Sequence, residues 1–460
     1  MKGLVTRAAL ASGIFGQAVV ALDVKADDNG KFGSGTRATA AYGLMRYYTG
    51  NNTGDTPGNL PDPYYWWQAG AMFGTLVDYW FYTGDSSYND EILQAIVHQA
   101  SDTADFMPKN QTRTEGNDDQ GFWAMTAMTA AENKFPNPPT DQPQYLALVQ
   151  AVFNQYTQRW DVDDCGGGLR WQIFSFNNGY TYKNSISNGC FFNVAARLAR
   201  YTGNSTYSDW AGKIFEWEQK VGLISKTWDV FDGVTIATDK SCKNMDLAQW
   251  TYNAGIYLHG AANMYNMTQD DAWKQRVDGI LKEIMARMVK DNVVYEEFCE
   301  ARKGCNNDQQ SFKGYLVRWL AQTAQLVPST RQTIAPVLRS TAQAAGAACS
   351  GSPAQGFKGA AGTACGFSWL AKGAFDGIAG VPPQMSALAA LIAPLAEAGQ
   401  GPATAKTGGT SKGDPKAGSG KQEDPRALKP ITTGDRVAAG FMTLFLIVGA
   451  VGSTAFMVKS

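Results

Sequence analysis

Histidine is scarce in this chain, and positive charge is not in excess. Only two histidines, His98 and His259, occur among 460 residues, and they lie far apart in the sequence. This scarcity disfavours a histidine-based zinc site and a Ser-His-Asp triad, and we expect neither a metal nor a cofactor. Because 40 basic residues face 41 acidic ones, we expect no nucleic-acid partner. Carboxylates, amides, hydroxyls and aromatic rings must therefore carry any chemistry.

The N-terminus has the pattern of a secretory signal. Lys2 and Arg7 precede a mostly apolar run from Ala8 to Leu22, and small residues suit cleavage after Ala21. A buried first helix is the alternative, but the glycines within the run make a poor helix. We therefore predict a signal peptide over residues 1–21 and a folded domain over residues 22–398.

The C-terminus changes composition twice. Residues 399–436 are rich in Gly, Pro, Lys, Thr and Ser and contain no aromatic residue, which predicts a flexible stalk. Residues 437–458 are uncharged and mostly apolar, and such a segment is either a membrane-spanning helix or a GPI-attachment signal. We favour the GPI signal because only two residues follow. The small residues 417–420 would then be the attachment site, residues 437–460 would be removed, and the protein would stay on the outer face of the plasma membrane or in the cell wall.

Cysteines and glycosylation sequons fit a secreted protein. The odd number of cysteines leaves at least one thiol unpaired, and the pairing cannot be deduced, although Cys299 with Cys305 and Cys349 with Cys365 are plausible local loops. The seven cysteines are Cys165, Cys190, Cys242, Cys299, Cys305, Cys349 and Cys365. The acceptor sequons stand at Asn51, Asn110, Asn204 and Asn266.

The middle of the chain has the periodicity of successive helices. Apolar and aromatic residues recur at three- and four-residue spacing in segments 36–48, 64–82, 91–107, 120–132, 145–160, 190–201, 210–221, 247–264, 273–289, 312–326, 334–347 and 385–396. Strand-like alternation is limited to short pieces such as 168–176 and 230–236. The recurring sequence Tyr-Thr-Gly at 48–50, 82–84 and 201–203 marks helix ends. The pattern predicts an all-α protein, either an (α/α)6 barrel of about twelve helices in six hairpins or an open α-solenoid used for binding.

Two adjacent carboxylates open an otherwise aromatic and aliphatic stretch. Asp118 and Asp119 lie within GNDDQGFW, residues 116–123. Adjacent aspartates also occur at 27–28, 163–164 and 270–271, so the pair is not specific by itself, and it could consist only of first-turn acids favoured by a helix dipole. However, the apolar segment that follows predicts an inner helix lining the ring. Two acids at the mouth of an aromatic-lined ring are what cleavage of a glycosidic bond requires.

The spacing of these acids indicates a retaining reaction. Side chains of neighbouring residues at a helix start can reach the separation of roughly 5 Å that retaining glycosidases use, with one acid as nucleophile and the other as acid/base. We expect the like charge to raise the pKa of one acid, while the helix N-terminus lowers the pKa of both. An acidic activity optimum follows from these expectations.

Six motifs carry a resemblance to a known family. They are WWQAG (66–70), NDDQ (117–120), CGGGLRW (165–171), YKNSISNG (182–189), WTYNAG (250–255) and FKGYLVRWL (312–320). In this order, over residues 35–325, the chain resembles glycoside hydrolase family 76 and especially its fungal GPI-anchored members. The resemblance implies an (α/α)6 barrel and metal-free, retaining chemistry on α-1,6-linked mannose, with Asp118 as nucleophile and Asp119 as general acid/base. For the fungal members it also implies transfer of GPI-linked proteins, from the mannose core of their anchor to β-glucan.

The same motifs supply candidates for substrate binding. They are Trp66, Trp67, Gln68, Trp123, Trp171, Asn184, Asn188, Tyr252, Asn253 and Lys313. The tryptophan rings could stack on pyranose faces, the asparagine amides could bind diols, and Lys313 could contact a hydroxyl or an anionic GPI phosphate. The alternatives are core packing for the tryptophans, turn capping for the asparagines and a solvated face for the lysine.

The sequence therefore predicts a retaining glycosidase or transglycosidase that acts on α-1,6-linked mannose as a monomer. Water and a sugar acceptor would attack the same covalent intermediate, so hydrolysis and transfer to β-glucan both stay open. The competing hypothesis is a catalytically silent glycan-binding or wall-tethering module that uses the same groove and anchor.

Overall fold

The computed structural model describes residues 33–370, 374–420 and 433–459. The chain divides into a large body that ends at Gly420 and a small C-terminal unit. The predicted signal peptide lies outside the described residues.

The described part of the body contains twelve α-helices and five short strands. The helices are α1 (Ser34–Met45), α2 (Trp66–Thr83), α3 (Asn89–Gln99), α4 (Asn117–Glu132), α5 (Tyr145–Arg159), α6 (Ser185–Thr202), α7 (Ser205–Val221), α8 (Thr251–Thr268), α9 (Asp271–Arg287), α10 (Gln309–Leu326), α11 (Arg331–Ala347) and α12 (Val381–Ile392). The strands are β1 (Tyr182–Asn184), β2 (Gly233–Ile236), β3 (Cys242–Asp246), β4 (Val289–Lys290) and β5 (Val293–Val294). Each of the twelve segments with helical periodicity therefore overlaps a helix.

The even-numbered helices form a closed inner ring. Each of α2, α4, α6, α8 and α10 packs against the next even-numbered helix, and α12 packs against α2. Helices α3, α5, α7, α9 and α11 pack outside this ring against their neighbours in the chain, and α1 packs mainly against α12. This architecture confirms the (α/α)6 barrel. The open solenoid is wrong because α12 returns to α2.

Small residues allow the inner helices to approach one another closely. A Cβ on Gly314 of α10 would lie 2.6 Å from Ser386 Oγ of α12. Similarly, a Cβ on Gly121 of α4 would lie 2.5 Å from the Cβ of Cys190 on α6. Contacts this short cannot be accommodated, so glycine at these positions sets the spacing of the ring.

The loops that precede the inner helices meet at one end of the barrel. They include the antiparallel sheet β1-β2-β3, in which Lys183 pairs with Val234 and Val234 with Met245. The strand predicted at 230–236 is therefore partly right. The strand predicted at 168–176 is wrong, because positive φ angles at Gly166, Gly167 and Gly168 turn the chain into a loop there.

Three disulfides cross-link the body. The two local loops suggested by the sequence, Cys299–Cys305 and Cys349–Cys365, are formed. The third joins Cys165 to Cys242 across 77 residues and ties the loop after α5 to β3. Cys190 is the unpaired cysteine of the described chain, and it is buried.

More than half of the predicted stalk is not a free linker, and its residues 421–432 lie outside the described residues. Residues 399–420, which we call the strap, lie along the outside of the barrel. The amide of Ala403 donates to the carbonyl of Glu132, and the amide of Leu146 at the start of α5 donates to Ser411 Oγ at 2.9 Å. Further along α5, Asn154 Nδ2 donates to the carbonyls of Pro415 and Ala417. Composition failed to predict this because the strap is held mainly by backbone hydrogen bonds rather than by apolar side chains.

The C-terminal unit is a single helix, α13 (Thr433–Lys459). Its stretch from Arg436 to Thr454 has a mean hydropathy of 1.9. By length and composition this is the one described helix that could cross a membrane.

The fold separates the four glycosylation sequons into two groups. We expect glycans at Asn51, Asn110 and Asn204, whose side chains are exposed. We expect none at Asn266, because its Nδ2 donates to the carbonyl of Leu326 at 2.9 Å and its Oδ1 accepts from Arg200 Nε. Peptide mapping after enzymatic deglycosylation in heavy-oxygen water measures occupancy at each site. Substantial labelling of Asn266 would contradict this expectation.

Candidate active site

A cavity of about 200 Å³ opens at the end of the barrel where the inner helices begin. This is room for several water molecules at about 30 Å³ each, and hence for part of a small polar ligand. The cavity is lined by Trp67, Asp118, Asp119, Phe122, Trp171, Gln172, Tyr182, Asn184, Asp232, Tyr252, Asp308 and Phe312. Side chains separated by as much as 245 positions in the sequence are thereby brought to one place.

The start of α4 holds the two predicted catalytic acids in the cavity. The amide of Gly116 donates to Asp119 Oδ2 at 2.7 Å, so that Asp119 caps its own helix. The amide of Asn117 donates to the carbonyl of Trp171 at 2.9 Å, and Tyr156 Oη donates to the carbonyl of Asn117. These bonds fix α4 against α5 and the loop that follows it.

Asp118 is partly buried, and one oxygen of its carboxylate has no hydrogen bond among the described residues. The indole of Trp171 and the amides of Asp118 and Asp119 lie near the Asp118 carboxylate and favour its charged form. Its Oδ1 has no hydrogen-bond partner in the described chain. This oxygen is shielded from solvent and lies against Gly116.

Desolvation raises the pKa of both predicted catalytic acids. The pKa of Asp118 lies well above its usual value because the carboxyl is desolvated and Asp119 is close by. Burial raises the pKa of Asp119 to about 7, with a smaller upward contribution from Asp308. Backbone amides at the helix N-terminus lower the pKa of both acids, as expected, but desolvation outweighs them and the net shift is upward.

Four of the predicted substrate-binding residues line the cavity together with this pair. They are Trp67, Trp171, Asn184 and Tyr252. Tyr252 stacks on Phe312 with ring centroids 3.7 Å apart and planes 6° from parallel. Trp67 packs on Phe122 at 4.7 Å. Aromatic walls of this kind suit the apolar faces of sugar rings.

Three of the predicted substrate-binding residues, Trp66, Gln68 and Trp123, belong to the core instead. Trp123 is fully buried between helices, and its Nε1 donates to the carbonyl of Trp66. Trp66 donates through its own Nε1 to Gln99 Oε1 at 2.7 Å. Gln68 is also fully buried, and its Oε1 accepts from the amide of Tyr65 as the cap of α2. These residues hold the aromatic wall without reaching the cavity.

Three further predicted residues lie behind the cavity. Asn188 is fully buried and bonds both the amide and the carbonyl of Leu169. Asn253 is also fully buried, and its Nδ2 donates to Asp232 Oδ1 at 3.4 Å. Lys313 is neither solvated nor available to a phosphate.

Lys313 instead forms a buried ion pair. Its Nζ lies 2.9 Å from Glu300 Oε2 and donates to the carbonyl of Phe367 at 2.5 Å. The same ammonium group lies 4.0 Å from the ring centroid of Trp369. The role of Lys313 is therefore to join α10 to the neighbouring loops.

Six cavity residues were missed by the sequence reasoning. They are Phe122, Gln172, Tyr182, Asp232, Asp308 and Phe312. Four of them lie within or beside the quoted motifs. The motifs therefore located the chain segments that reach the cavity, but not which of their side chains line it. Asp232 and Asp308 are single acids in loops, and no local pattern distinguishes them from solvated aspartates.

The lining has four carboxylates, and no lysine or arginine is among its described residues. Tyr182 Oη donates to Asp232 Oδ2 at 2.7 Å. Burial raises the pKa of Asp308 to about 6, and its Oδ1 has no hydrogen-bond partner in the part of the chain that the structure describes. No group of three or more potential metal ligands is found among the described residues. The cavity therefore favours neutral or positively charged ligands.

Comparison with known proteins identifies close relatives. The family model "Glycosyl hydrolase family 76" matches residues 34–406. The chain is 49% identical over 422 residues to the mannan endo-1,6-α-mannosidase DCW1 of Saccharomyces cerevisiae, covering 91% of each chain. It is 38% identical to the mannan endo-1,6-α-mannosidase DFG5 of Candida albicans, covering 97% of each.

Solved structures show the same fold. A crystal structure of Dfg5 from Chaetomium thermophilum in complex with glucosamine has a TM-score of 0.79 and 48% sequence identity, over 84% of this chain and 95% of that one. The GH76A α-1,6-mannanase of Salegentibacter sp. HEL1_6 has a TM-score of 0.61 at 18% identity, over 80% of this chain and 99% of that one. At that identity the likeness concerns the fold alone.

The close approach of both carboxylates to Gly116 gives a test of the site. A Cβ at this position would crowd Asp118 Oδ1 and lie 3.3 Å from Asp119 Oδ2. We expect Gly116→Ala to lower the rate of glycoside cleavage by roughly 10- to 100-fold, because displacements of about 1 Å cost about this much. Its φ of -89° suits alanine, so the fold should be retained by circular dichroism. Gly35→Ala, with no atom within 4 Å of the new Cβ, is the matched control. Full activity of Gly116→Ala would argue against this geometry.

Proposed function

Because the chain belongs to glycosyl hydrolase family 76 and is a glycosidase, we propose that it cleaves α-1,6-linked mannose by a retaining mechanism. The observation that carries this proposal is the convergence of Asp118 and Asp119 over Gly116, at the base of an aromatic-lined cavity. Both carboxyl oxygens lie within 3.3 Å of one point. Such proximity suits the spacing of about 5 Å in retaining enzymes better than the wider spacing of inverting ones.

The polar groups around the pair support Asp118 as nucleophile and Asp119 as general acid/base. The amides of Asp118 and Asp119 and the Trp171 indole lie near the Asp118 carboxylate, and these donors favour its charged form. Asp119 accepts from the Gly116 amide alone among the described backbone groups. Because the pKa of both acids is raised, the pair holds a proton near neutral pH, and the additional donors around Asp118 favour Asp119 as the acid that carries it. Asp118 then attacks the anomeric carbon, while Asp119 protonates the leaving oxygen and later deprotonates the acceptor.

The carboxylates that line the cavity favour a donor glycan with a positively charged group next to its mannose. The related Dfg5 was crystallised with glucosamine, a sugar with an amino group. Four carboxylates without a basic neighbour would favour such a group. We therefore take the mannose-containing glycan of a GPI core as the donor, and β-glucan of the cell wall as the acceptor.

The C-terminal features support attachment of the protein to the membrane by a GPI anchor. The small residues 417–420 end the strap, and the apolar helix α13 follows further along the chain. The strap keeps its contacts with α5 up to the carbonyl of Gly418, which accepts from Gln158 Nε2. Attachment at 417–420 would therefore leave the strap in place on the mature protein.

Transfer and hydrolysis can be distinguished by isotopic labelling. The full-length protein is incubated with a mannose-containing GPI glycan in heavy-oxygen water, with and without a β-1,3-glucan oligosaccharide, and mass spectrometry reads the products. We expect a donor–acceptor adduct without heavy oxygen, because the acceptor replaces water on the glycosyl–enzyme intermediate. Labelled mannose products in the presence of acceptor would mean a hydrolase.

Substitution of the nucleophile provides the corresponding control. Asp118→Asn should reduce turnover by at least about 10³-fold, since it removes the covalent route. Asp163→Asn, at an exposed aspartate of another Asp-Asp pair, should leave the rate unchanged. Equal turnover of wild type and Asp118→Asn would refute the assigned nucleophile, and retained glycan binding without any turnover in the wild type would favour the binding-module hypothesis.

The pH dependence follows from the pKa of Asp119. Since the acid must carry a proton and its pKa is about 7, we expect kcat/KM to fall as the pH rises through about 7. Asp308→Asn removes a negative charge that raises this pKa, so the alkaline limb should move to lower pH. Asp163→Asn should not move it. Rates that continue to rise above neutral pH would contradict Asp119 as the acid.

A further inference from the structure

The strap begins at the end of the barrel opposite the cavity. We call this the far end, and the end with the cavity the catalytic end. In α12, Ser386 Oγ donates to the carbonyl of Ser311 in the first turn of α10, so α12 also begins at the catalytic end and leaves at the far end. There the carbonyl of Gln400 accepts from Gln325 Nε2, near the end of α10, at 3.2 Å. An anchor joined to the chain at this point would leave the cavity roughly 27 Å away, the length of an 18-residue helix such as α2.

The strap then returns along α5 to the catalytic end. Helix α5 begins at the far end and ends beside the start of α4, where Tyr156 Oη donates to a carbonyl in the first turn of α4. The strap follows α5 in the same direction. Ser411 Oγ accepts from the amide of Leu146, and the carbonyl of Gly418 accepts from Gln158 Nε2. The strap thus rises along α5 by roughly 18 Å, the length of the helix between these two contacts.

The end of the strap is therefore beside the cavity, and the proposed anchor site at residues 417–420 lies there. Asn154 Nδ2 donates to the carbonyl of Ala417 at 2.7 Å, so little free chain separates this site from α5. Since packed helices lie about 10 Å apart, an anchor here would lie on the order of 20 Å to the side of Asp118, at nearly the same height.

Exposed apolar side chains are concentrated at the same end of the barrel. In the described body, the large ones are Tyr42, Tyr65, Val162, Trp171, Leu247 and Phe298. All except Tyr42, which lies on the outer helix α1, belong to loops at the catalytic end. The described loops at the far end, 84–88, 133–144, 203–204, 269–270 and 327–330, contain none of them.

Four of these residues form a rim around the mouth of the cavity. We call Tyr65, Val162, Leu247 and Phe298 the rim; they precede α2, α6, α8 and α10, four of the six inner helices. Single exposed apolar side chains are ordinary on a protein surface, but their restriction to one end is not. Side chains of this kind enter the boundary between the headgroups and the acyl chains of a lipid layer.

We propose that the catalytic end faces the membrane, with the rim in contact with the lipid headgroups and the cavity open to glycans carried by the same membrane. The strap produces this orientation, because it moves the point of attachment from the far end to the catalytic end. The inference rests on the proposed anchor and donor. It makes the preferred donor a lipid-linked glycan rather than a free one.

Fluorescence quenching shows which end faces the lipid. The full chain is expressed in yeast, and the membrane-attached product is transferred to phosphatidylcholine vesicles with nitroxide-labelled headgroups. A fluorophore is attached through Leu247→Cys or, at the far end, through the exposed Thr140→Cys, and the wild type with its buried Cys190 gives the background labelling. We expect loss of most of the fluorescence at position 247 and almost none at position 140. Equal quenching at both positions, or stronger quenching at 140, would overturn the proposal.

The anchor is tested separately, by release of the protein with a phospholipase C specific for phosphatidylinositol. Release would support the GPI anchor. Quenching at position 247 in a protein that is not released would refute the GPI anchor but support the orientation.

Activity on two forms of the donor distinguishes lipid contact from glycan contact. Val162→Ser with Leu247→Ser removes two rim side chains that do not line the cavity. We expect turnover of a GPI glycan in the same vesicles to fall roughly 3- to 10-fold, because interfacial affinity follows the apolar area buried. Turnover of the same glycan freed from its lipid should not change. Tyr42→Ser, at an exposed tyrosine outside the rim, is the matched control and should leave both rates unchanged.

The other outcomes of this assay are informative. An equal loss on both forms of the donor would show that the rim binds the glycan, and no loss on either would show that it contacts neither; both would overturn the proposal. If the wild type turns over neither form, the proposed function fails, and the quenching measurement alone decides the orientation.

Discussion

The contact between α12 and α2 is the constraint on which the rest of the molecule depends. It closes six inner helices into a ring in which all of them begin at the same end, so that loops distant in sequence meet over one cavity. An open row of the same hairpins would leave the apolar sides of its end helices exposed, at a cost of about 25 cal/mol for each Å². Closure therefore creates both the core and the site.

Closure also determines the electrostatics of the site. Asp118 and Asp119 stand at a helix N-terminus, which alone would favour their charged forms. Because the ring surrounds them, desolvation dominates and raises the pKa of both. A carboxylic acid that keeps its proton near neutral pH is useful as a general acid, so the burial that stabilises the fold also prepares the chemistry. Asp308, contributed by the loop before α10, adds to this effect from across the cavity.

The sequence predicted the helices well, and it pointed to the two adjacent acids that line the cavity, because both features depend on local patterns. Periodicity located all twelve helices of the ring and its outer layer, and the adjacent acids located the base of the cavity. It did not distinguish Trp67, which lines the cavity, from Trp66, which is buried behind it, since neighbouring helical residues point about 100° apart and the placement of the helix decides between them. Asp232 and Asp308 needed tertiary structure because nothing near them in the chain marks them. The strap was mistaken for a linker since composition does not record backbone hydrogen bonds to a neighbouring helix.

The reactivity of the unpaired cysteine, Cys190, depends on local opening of the ring. Cys190 lies on α6 with its sulfur 4.0 Å from the carbonyl of Asp118, packed against Gly121 of α4. Reagents reach such a thiol only when the seam between α4 and α6 opens, and its burial raises the pKa of the thiol further above neutrality. The alkylation rate of this free thiol therefore measures how often α4 and α6 separate locally, next to the predicted catalytic carboxylates. Comparing the rate with and without a glycan in the cavity would show whether a bound ligand slows this local opening.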